Sequence, residues 1–216
     1  MNNVVNSLLK DLKTIWDAKI HSRETQFEND FIRLELIKYT KGNNPKEHQY
    51  YSVQRLRPVK TEAWKVREKV KDIVTTFTVT EDEKVILTNQ FRFPHEKFII
   101  ENPAWLQDKD CESLEETARR EILEETWYAP EKIIHLGKTP TSSWLTTETI
   151  DCFIWLNSKK VSDILNLDWS EDIQVIEVPL SDMDEFLAEA EKRNDVLVDF
   201  KVKYMLWEYR KLKWLV

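Results

Sequence analysis

The sequence predicts an α+β fold, an α/β/α sandwich around a mixed β-sheet with an added N-terminal β-segment. Three observations predict it. Short stretches rich in β-branched and aromatic residues recur from about residue 27 to residue 178. Amphipathic helical patterns stand apart from them at the N-terminus, after Ser113 and toward the C-terminus. A chain of 216 residues with 41% hydrophobic content can bury a sizeable core. We assign residues 1–60 to an N-terminal helix and β-segment and residues 61–216 to the main domain.

Taken in order, Val5, Leu8, Leu9, Leu12, Ile15 and Trp16 fall at helical spacing, so residues 4–19 read as an amphipathic helix. Phe31, Leu34 and Leu36 mark a strand within residues 27–39. The turn signal Gly42-Asn43-Asn44-Pro45 leads to a second strand over residues 49–56, an antiparallel partner for the first. Residues 66–80 and 84–91 read as strands, with Thr80-Glu81-Asp82-Glu83 as the turn between Phe77-Thr78-Val79 and Val85-Ile86-Leu87. A short strand at 98–102 precedes a helix that begins near Leu114. Beyond it come strands at 132–135 and 150–156 around a polar loop at 139–148, then a strand at 173–178. Helices at 182–192 and 199–212 close the chain, the last packing through Leu206 and Tyr209.

The formal charge of −7 and pI near 5.3 argue against a partner that is nucleic acid or a membrane surface. An anionic substrate would have to meet local positive charge or a metal. Cys111 and Cys152 are too few for a disulfide scaffold or zinc site and read as free thiols of a reducing compartment. No apolar run approaches the ~18 residues of a membrane span, and no signal-peptide core is present, so the expectation is a cytoplasmic protein.

The helix after Ser113 is chemically the most informative stretch. Ser113-Leu114-Glu115-Glu116 has the form of a capping box. Leu114, Ala118 and Ile122 make a narrow apolar stripe, and Glu121 and Glu125 continue the Leu114–Ala118 edge, where core residues would be expected. Like charges four apart destabilise a helix by a few tenths of a kcal/mol. Arg119 can pair with Glu115, and Arg120 with Glu116 and Glu124, which leaves the Glu121/Glu125 edge less well served. Two readings stand: a solvated Glu-rich face, or a seat for a hard divalent cation such as Mg²⁺.

Glu112, seven residues, then Arg120-Glu121-Ile122-Leu123-Glu124-Glu125-Thr126 resembles the second half of the Nudix box, G-x5-E-x7-R-E-U-x-E-E-x-G-U, where U is a bulky aliphatic. Six residues rather than five separate Trp105 from Glu112, tryptophan stands at both glycine positions, Trp105 and Trp127, and Tyr128 takes the aliphatic end. Gln90-Phe91-Arg92, Glu101-Asn102-Pro103-Ala104, Ser142-Ser143-Trp144 with Glu148, and Asp168 to Val178 resemble, in order, landmarks of the ADP-ribose pyrophosphatases of that superfamily. The likeness covers roughly residues 60 to 210.

The resemblance implies a Nudix fold and Mg²⁺-dependent hydrolysis, with Mn²⁺ as an alternative ion. Glu121, Glu125, Glu124 and the Ala104 carbonyl match the family's metal ligands. Glu171 matches the loop that often supplies the catalytic base, Glu148 is the reserve, and Glu124 assists. Arg92 and Glu101 match substrate-binding positions, Arg92 for phosphate or ribose and Glu101 for a ribose hydroxyl or else the second metal shell, with Arg120 orienting the box glutamates. The implied substrate is ADP-ribose, split to AMP and ribose 5-phosphate, or a related nucleoside diphosphate sugar. A different class of function is a domain that binds such nucleotides without cutting them. Members are commonly homodimers that exchange N-terminal strands.

The chain holds 2 glycines and 9 tryptophans, where the usual ~7% glycine would give about fifteen. Trp105, Trp127 and Trp144 stand at family glycine positions. Trp127 follows the helix, where the left-handed conformation favours glycine. The expectation is that UGA codons, read as glycine in some bacteria, are rendered here as tryptophan.

Overall fold

The computed structural model describes residues 17–60, 65–69, 73–107, 112–161 and 173–214. By its internal contacts the chain forms two compact units, Met1–Glu68 with Ser143–Thr147, and Lys69–Ser142 with Glu148–Val216.

The first unit is a sheet ordered β1-β2-β3-β4, with β1 at Ala18–Glu28, β2 at Ile32–Lys41, β3 at Asn44–Lys60 and β4 at Lys65–Lys69. Asn29 closes the first turn by accepting from the backbone N–H groups of Phe31 (2.8 Å) and Ile32 (2.9 Å). Gly42, at φ +56, makes the second. β1 was not expected: only Ile20 and Phe27 are large apolar residues there, and both are exposed. The expected helix at 4–19 lies outside the described residues up to residue 16, and its last two residues, Ala18 and Lys19, belong to β1. The segment Ser143–Thr147 returns to this unit, with Val53 donating to the Leu145 carbonyl at 2.8 Å and Thr147 to the Val53 carbonyl at 3.1 Å.

The second unit is a mixed nine-stranded sheet with helices on both faces. Its strands are β5 (Ile73–Thr80), β6 (Lys84–Arg92), β7 (Lys97–Glu101), β8 (Ala104–Leu106), β9 (Tyr128–Ala129), β10 (Lys132–Pro140), β11 (Thr149–Lys160), β12 (Ile173–Pro179) and β13 (Val196–Val198). The helices are α1 (Leu114–Thr126), α2 (Met183–Ala190) and α3 (Phe200–Trp214). The main path runs β10-β11-β5-β6-β7-β13, with β11–β5 and β7–β13 parallel.

Strand alternation sorts the core into two layers. Ile73, Phe77, Val79, Ile150, Cys152 and Ile154 face α2 and α3. Val74, Phe153 and Trp155 face Ala118 and Ile122 of α1. Every residue of β5 is buried, as a central strand requires.

The third expected strand, 66–80, is two, β4 and β5, and the short β8, β9 and β13 were not foreseen. β10 runs to Pro140 instead of ending at His135, because Gly137 at φ +121 takes up a bulge between His135 and Gly137 and the pairing with β11 resumes. Among the described residues no helix is long and apolar enough to cross a membrane.

Phe77→Ala, at a wholly buried central position, is expected to lower the free energy of unfolding by about 3–5 kcal/mol. Phe93→Ala, at a side chain 84% exposed, should change it by no more than about 0.5 kcal/mol. Urea unfolding of the two variants checks the assignment of the core.

Candidate active site

β5 and β6 pair directly only through Thr78 with Ile86 and Val79 with Val85. Past that point they separate. The first half of β5 is paired by β8 (Ile73 with Leu106, Val74 with Trp105, Thr75 with Ala104), and the second half of β6 by β7, from Thr88 with Glu101 to Arg92 with Lys97. The link Glu101-Asn102-Pro103-Ala104 crosses the opened seam. Its Pro103 carbonyl accepts from the Thr76 N–H (3.1 Å) and the Thr75 hydroxyl (3.0 Å), while the Glu101 carbonyl accepts from the Thr88 hydroxyl at 3.3 Å.

A cleft of about 300 Å³ lies at this seam, and Arg92, Glu101, Ala104, Trp105, Glu121 and Glu125 are among the residues that line it. Thr88 and Gln90 alternate with Arg92 on the same face of β6; from the sequence Gln90 is read only as part of the landmark Gln90-Phe91-Arg92 and Thr88 is not singled out, although a period of two from Arg92 reaches both. A larger hollow of about 500 Å³ sits beside α2. Phe98, Ile100, Ile176 and Phe186 contribute to its apolar wall, so the paired acids and Arg92 single out the smaller cleft for chemistry.

α1 brings its acids to the cleft because both of its ends are fixed. The Ser113 hydroxyl accepts from the Glu116 N–H at 3.2 Å and the Glu116 carboxylate from the Ser113 N–H at 2.7 Å, the capping box expected from sequence. Ala118 and Ile122 are fully buried against the sheet. That packing turns Glu121 and Glu125 to the cleft, Glu125 with only 9% exposure. At the other end Trp127 takes φ 62, ψ 14, and its N–H caps the Leu123 carbonyl at 3.1 Å.

The charges are arranged around two arginines. Arg120 reaches Glu121 at 2.6 Å, Glu112 at 3.2 Å and Glu124 at 3.6 Å. The expected Arg120–Glu116 pair gives way, because Glu116 is turned to the cap, and Arg120 does serve Glu121. Arg119 pairs with Glu115 at 3.1 Å, as expected. On the opposite wall Arg92 meets one oxygen of Glu101, Nε at 2.8 Å and a terminal nitrogen at 2.5 Å. Burial raises the pKa of the Glu101 carboxyl, against the opposing pull of Arg92.

Of the expected base residues, Glu148 accepts from the Thr141 hydroxyl at 2.9 Å and is not among the cleft-lining residues. Glu171 lies outside the described residues. Ile173, two positions further on, lines the cleft. Ser143 and Trp144 belong to the first unit, and Trp144 is 83% exposed.

Among the described residues no three His, Cys, Asp or Glu side chains gather into a cluster able to hold a metal by themselves. The donors at hand, Glu121 and Glu125 on one wall with Ala104 beside them, are hard oxygens. They fit an ion such as Mg²⁺, which takes one or two carboxylates and completes its shell with water and phosphate.

Arg120→Met should destabilise the protein by roughly 1.5–3 kcal/mol, the worth of hydrogen bonds to charged groups. Denaturant unfolding of the variant beside the parent protein checks the loss.

Residues 69–200 match the family described as NUDIX domain. The chain is 33% identical over 132 residues to an ADP-ribose pyrophosphatase of Bacillus subtilis (strain 168), covering 61% of this chain and 70% of that one. It is 31% identical over 116 residues to a methanol dehydrogenase activator of Bacillus methanolicus, covering 54% of this chain and 62% of that one. Its fold matches a crystal structure titled as an ADP compounds hydrolase with a TM-score of 0.71 at 18% identity, covering 93% of this chain and 96% of the other. With the acids of α1 facing a cleft at the seam of a mixed sheet, and the family match spanning most of the second unit, the chain belongs to the NUDIX domain family of hydrolases.

Proposed function

We propose that this protein hydrolyses the diphosphate linkage of ADP-ribose or a closely related nucleoside diphosphate sugar, with Mg²⁺ or Mn²⁺ as cofactor, giving AMP and ribose 5-phosphate from ADP-ribose. The observation that carries the proposal is the convergence of Arg92, Glu101, Ala104, Glu121 and Glu125 on one cleft. The 33% identity to a Bacillus subtilis ADP-ribose pyrophosphatase supports the choice of substrate.

Glu121, Glu125 and the Ala104 carbonyl would hold the ion, with Glu124 assisting. Bound there, the ion would neutralise the diphosphate and stabilise charge as it shifts between oxygens. Arg92, held by Glu101, would meet phosphate or ribose, and Arg120 would fix the direction of Glu121. Glu171 is the leading candidate to take the proton from the attacking water, with Glu148 in reserve. Water adds to one phosphorus, the bridging P–O bond breaks, and each product leaves with one phosphate. We further assign the protein to the cytoplasm and to a homodimer built on the N-terminal sheet, which exposes Phe27, Phe31, Tyr50 and Tyr51.

The test is a Mg²⁺-dependent assay of ADP-ribose, a sugar nucleotide and a dinucleotide, with product identification. ADP-ribose should be cleaved to AMP and ribose 5-phosphate, and Glu125→Gln should lose on the order of a hundred-fold or more in turnover. Full metal-dependent activity in Glu125→Gln would refute the ligand assignment. Tight ADP-ribose binding without turnover would point to the non-catalytic, nucleotide-sensing reading.

A further inference from the structure

We infer that residues 105 and 127 of the working protein are glycine, and that tryptophan at these positions is a rendering of UGA codons which the source organism reads as glycine. The composition of 2 glycines against 9 tryptophans raises the question. The backbone and the side-chain environments single out these two positions.

Trp127 is the residue after α1 and stands at φ 62, ψ 14. In that region a Cβ crowds the following carbonyl oxygen, and glycine is the usual occupant of a helix C-terminus of this kind. Among the described residues four that are not glycine have positive φ: Glu83, Glu96, Trp127 and Asn157. Trp127 is the aromatic one. The bond it makes there, from its N–H to the Leu123 carbonyl at 3.1 Å, is a backbone bond that glycine makes equally well.

The indole supplies a second, independent observation. Nε1 of Trp127 and Nε1 of Trp105 are both buried without a hydrogen-bond partner. A buried tryptophan N–H ordinarily finds an acceptor. Trp105 is 6% exposed and stands on the wall of the cleft directly after Ala104, so its indole occupies space beside the proposed ion and diphosphate site. Glycine there would free the volume of the indole beside Glu121 and Glu125.

Trp155 also has an unpartnered Nε1 and shares a core layer with Trp105, but it has no positive φ and is not among the cleft-lining residues. Trp144 is exposed with no positive φ, and nothing in the structure calls for glycine there.

Tryptic digestion of the protein purified from its native source tests the inference without any assay of activity. The peptides Phe98–Lys109 and Glu121–Lys132 should both appear at the glycine mass, and the gene should carry UGA at both codons. Tryptophan in either peptide, or a UGG codon at either position, overturns the inference. As a second measurement, Trp127→Gly in the recombinant chain should have a Tm roughly 2–4 °C above that of Trp127→Ala. Both variants lose the indole and its contact with Lys160, and an equal or lower Tm for the glycine variant overturns the reading of this helix end as strained.

Discussion

The cleft exists because β5 and β6 stop pairing after Thr78–Ile86 and Val79–Val85. Strand edges buried in a core cannot be left with unpaired N–H and C=O groups, so the separation has to be filled. β8 completes β5 and β7 completes β6, which forces the chain between them to cross the gap within Asn102 and Pro103. The short span fixes Glu101 on one lip and Ala104 on the other, and the Pro103 carbonyl anchors it to two consecutive residues of β5. The position of the site is thus a consequence of backbone hydrogen-bond accounting.

Onto that frame α1 adds the charge. Ala118 and Ile122 are sealed against the sheet, and the same helical register turns Glu121 and Glu125 to the cleft. Removing carboxylates from bulk water is costly unless a counter-charge stands close. Arg120 meets that need for Glu121 and Glu112, and Arg92 for the buried Glu101. Both arginines therefore already hold carboxylates on the walls that an anionic diphosphate would approach. Under the proposed function, a hard divalent ion between the acids of α1 and the phosphates would resolve that conflict.

Much of this was legible in the sequence where local rules govern. The capping box at Ser113, the stripe Leu114–Ala118–Ile122 and the left-handed demand at Trp127 are short-range features, and each is found in the structure. Of the two partners expected for Arg120, Glu124 is found and Glu116 is not, while Glu112 and Glu121 are added, because helical spacing considers only the helix. Glu112 lies ahead of the cap, and Glu116 is drawn away by the cap itself. β8 and β13 are three residues each and owe their existence to the strands they pair with, so no periodicity could announce them. β1 escaped for the opposite reason: as a mostly exposed edge strand it carries too few apolar residues to show a pattern.

The departures from the Nudix box fall where backbone geometry and free space matter, and the charged donors are kept. A domain released from catalysis would be expected to shed its partly buried acids early, since replacing Glu125 by an apolar residue removes a desolvation cost from a packed face. Instead Glu121 and Glu124 stand with Arg120 and Glu125 lines the cleft at 9% exposure, while indoles stand at a helix end held in left-handed backbone and on the wall of the cleft. The cap bond at Trp127 is made by backbone atoms, so a change of side chain at 127 alters strain without removing that bond, and a change at 105 alters the room beside the donors. Loss of function alone does not produce that pattern, in which the costly residues persist and the misfits gather at two positions suited to glycine.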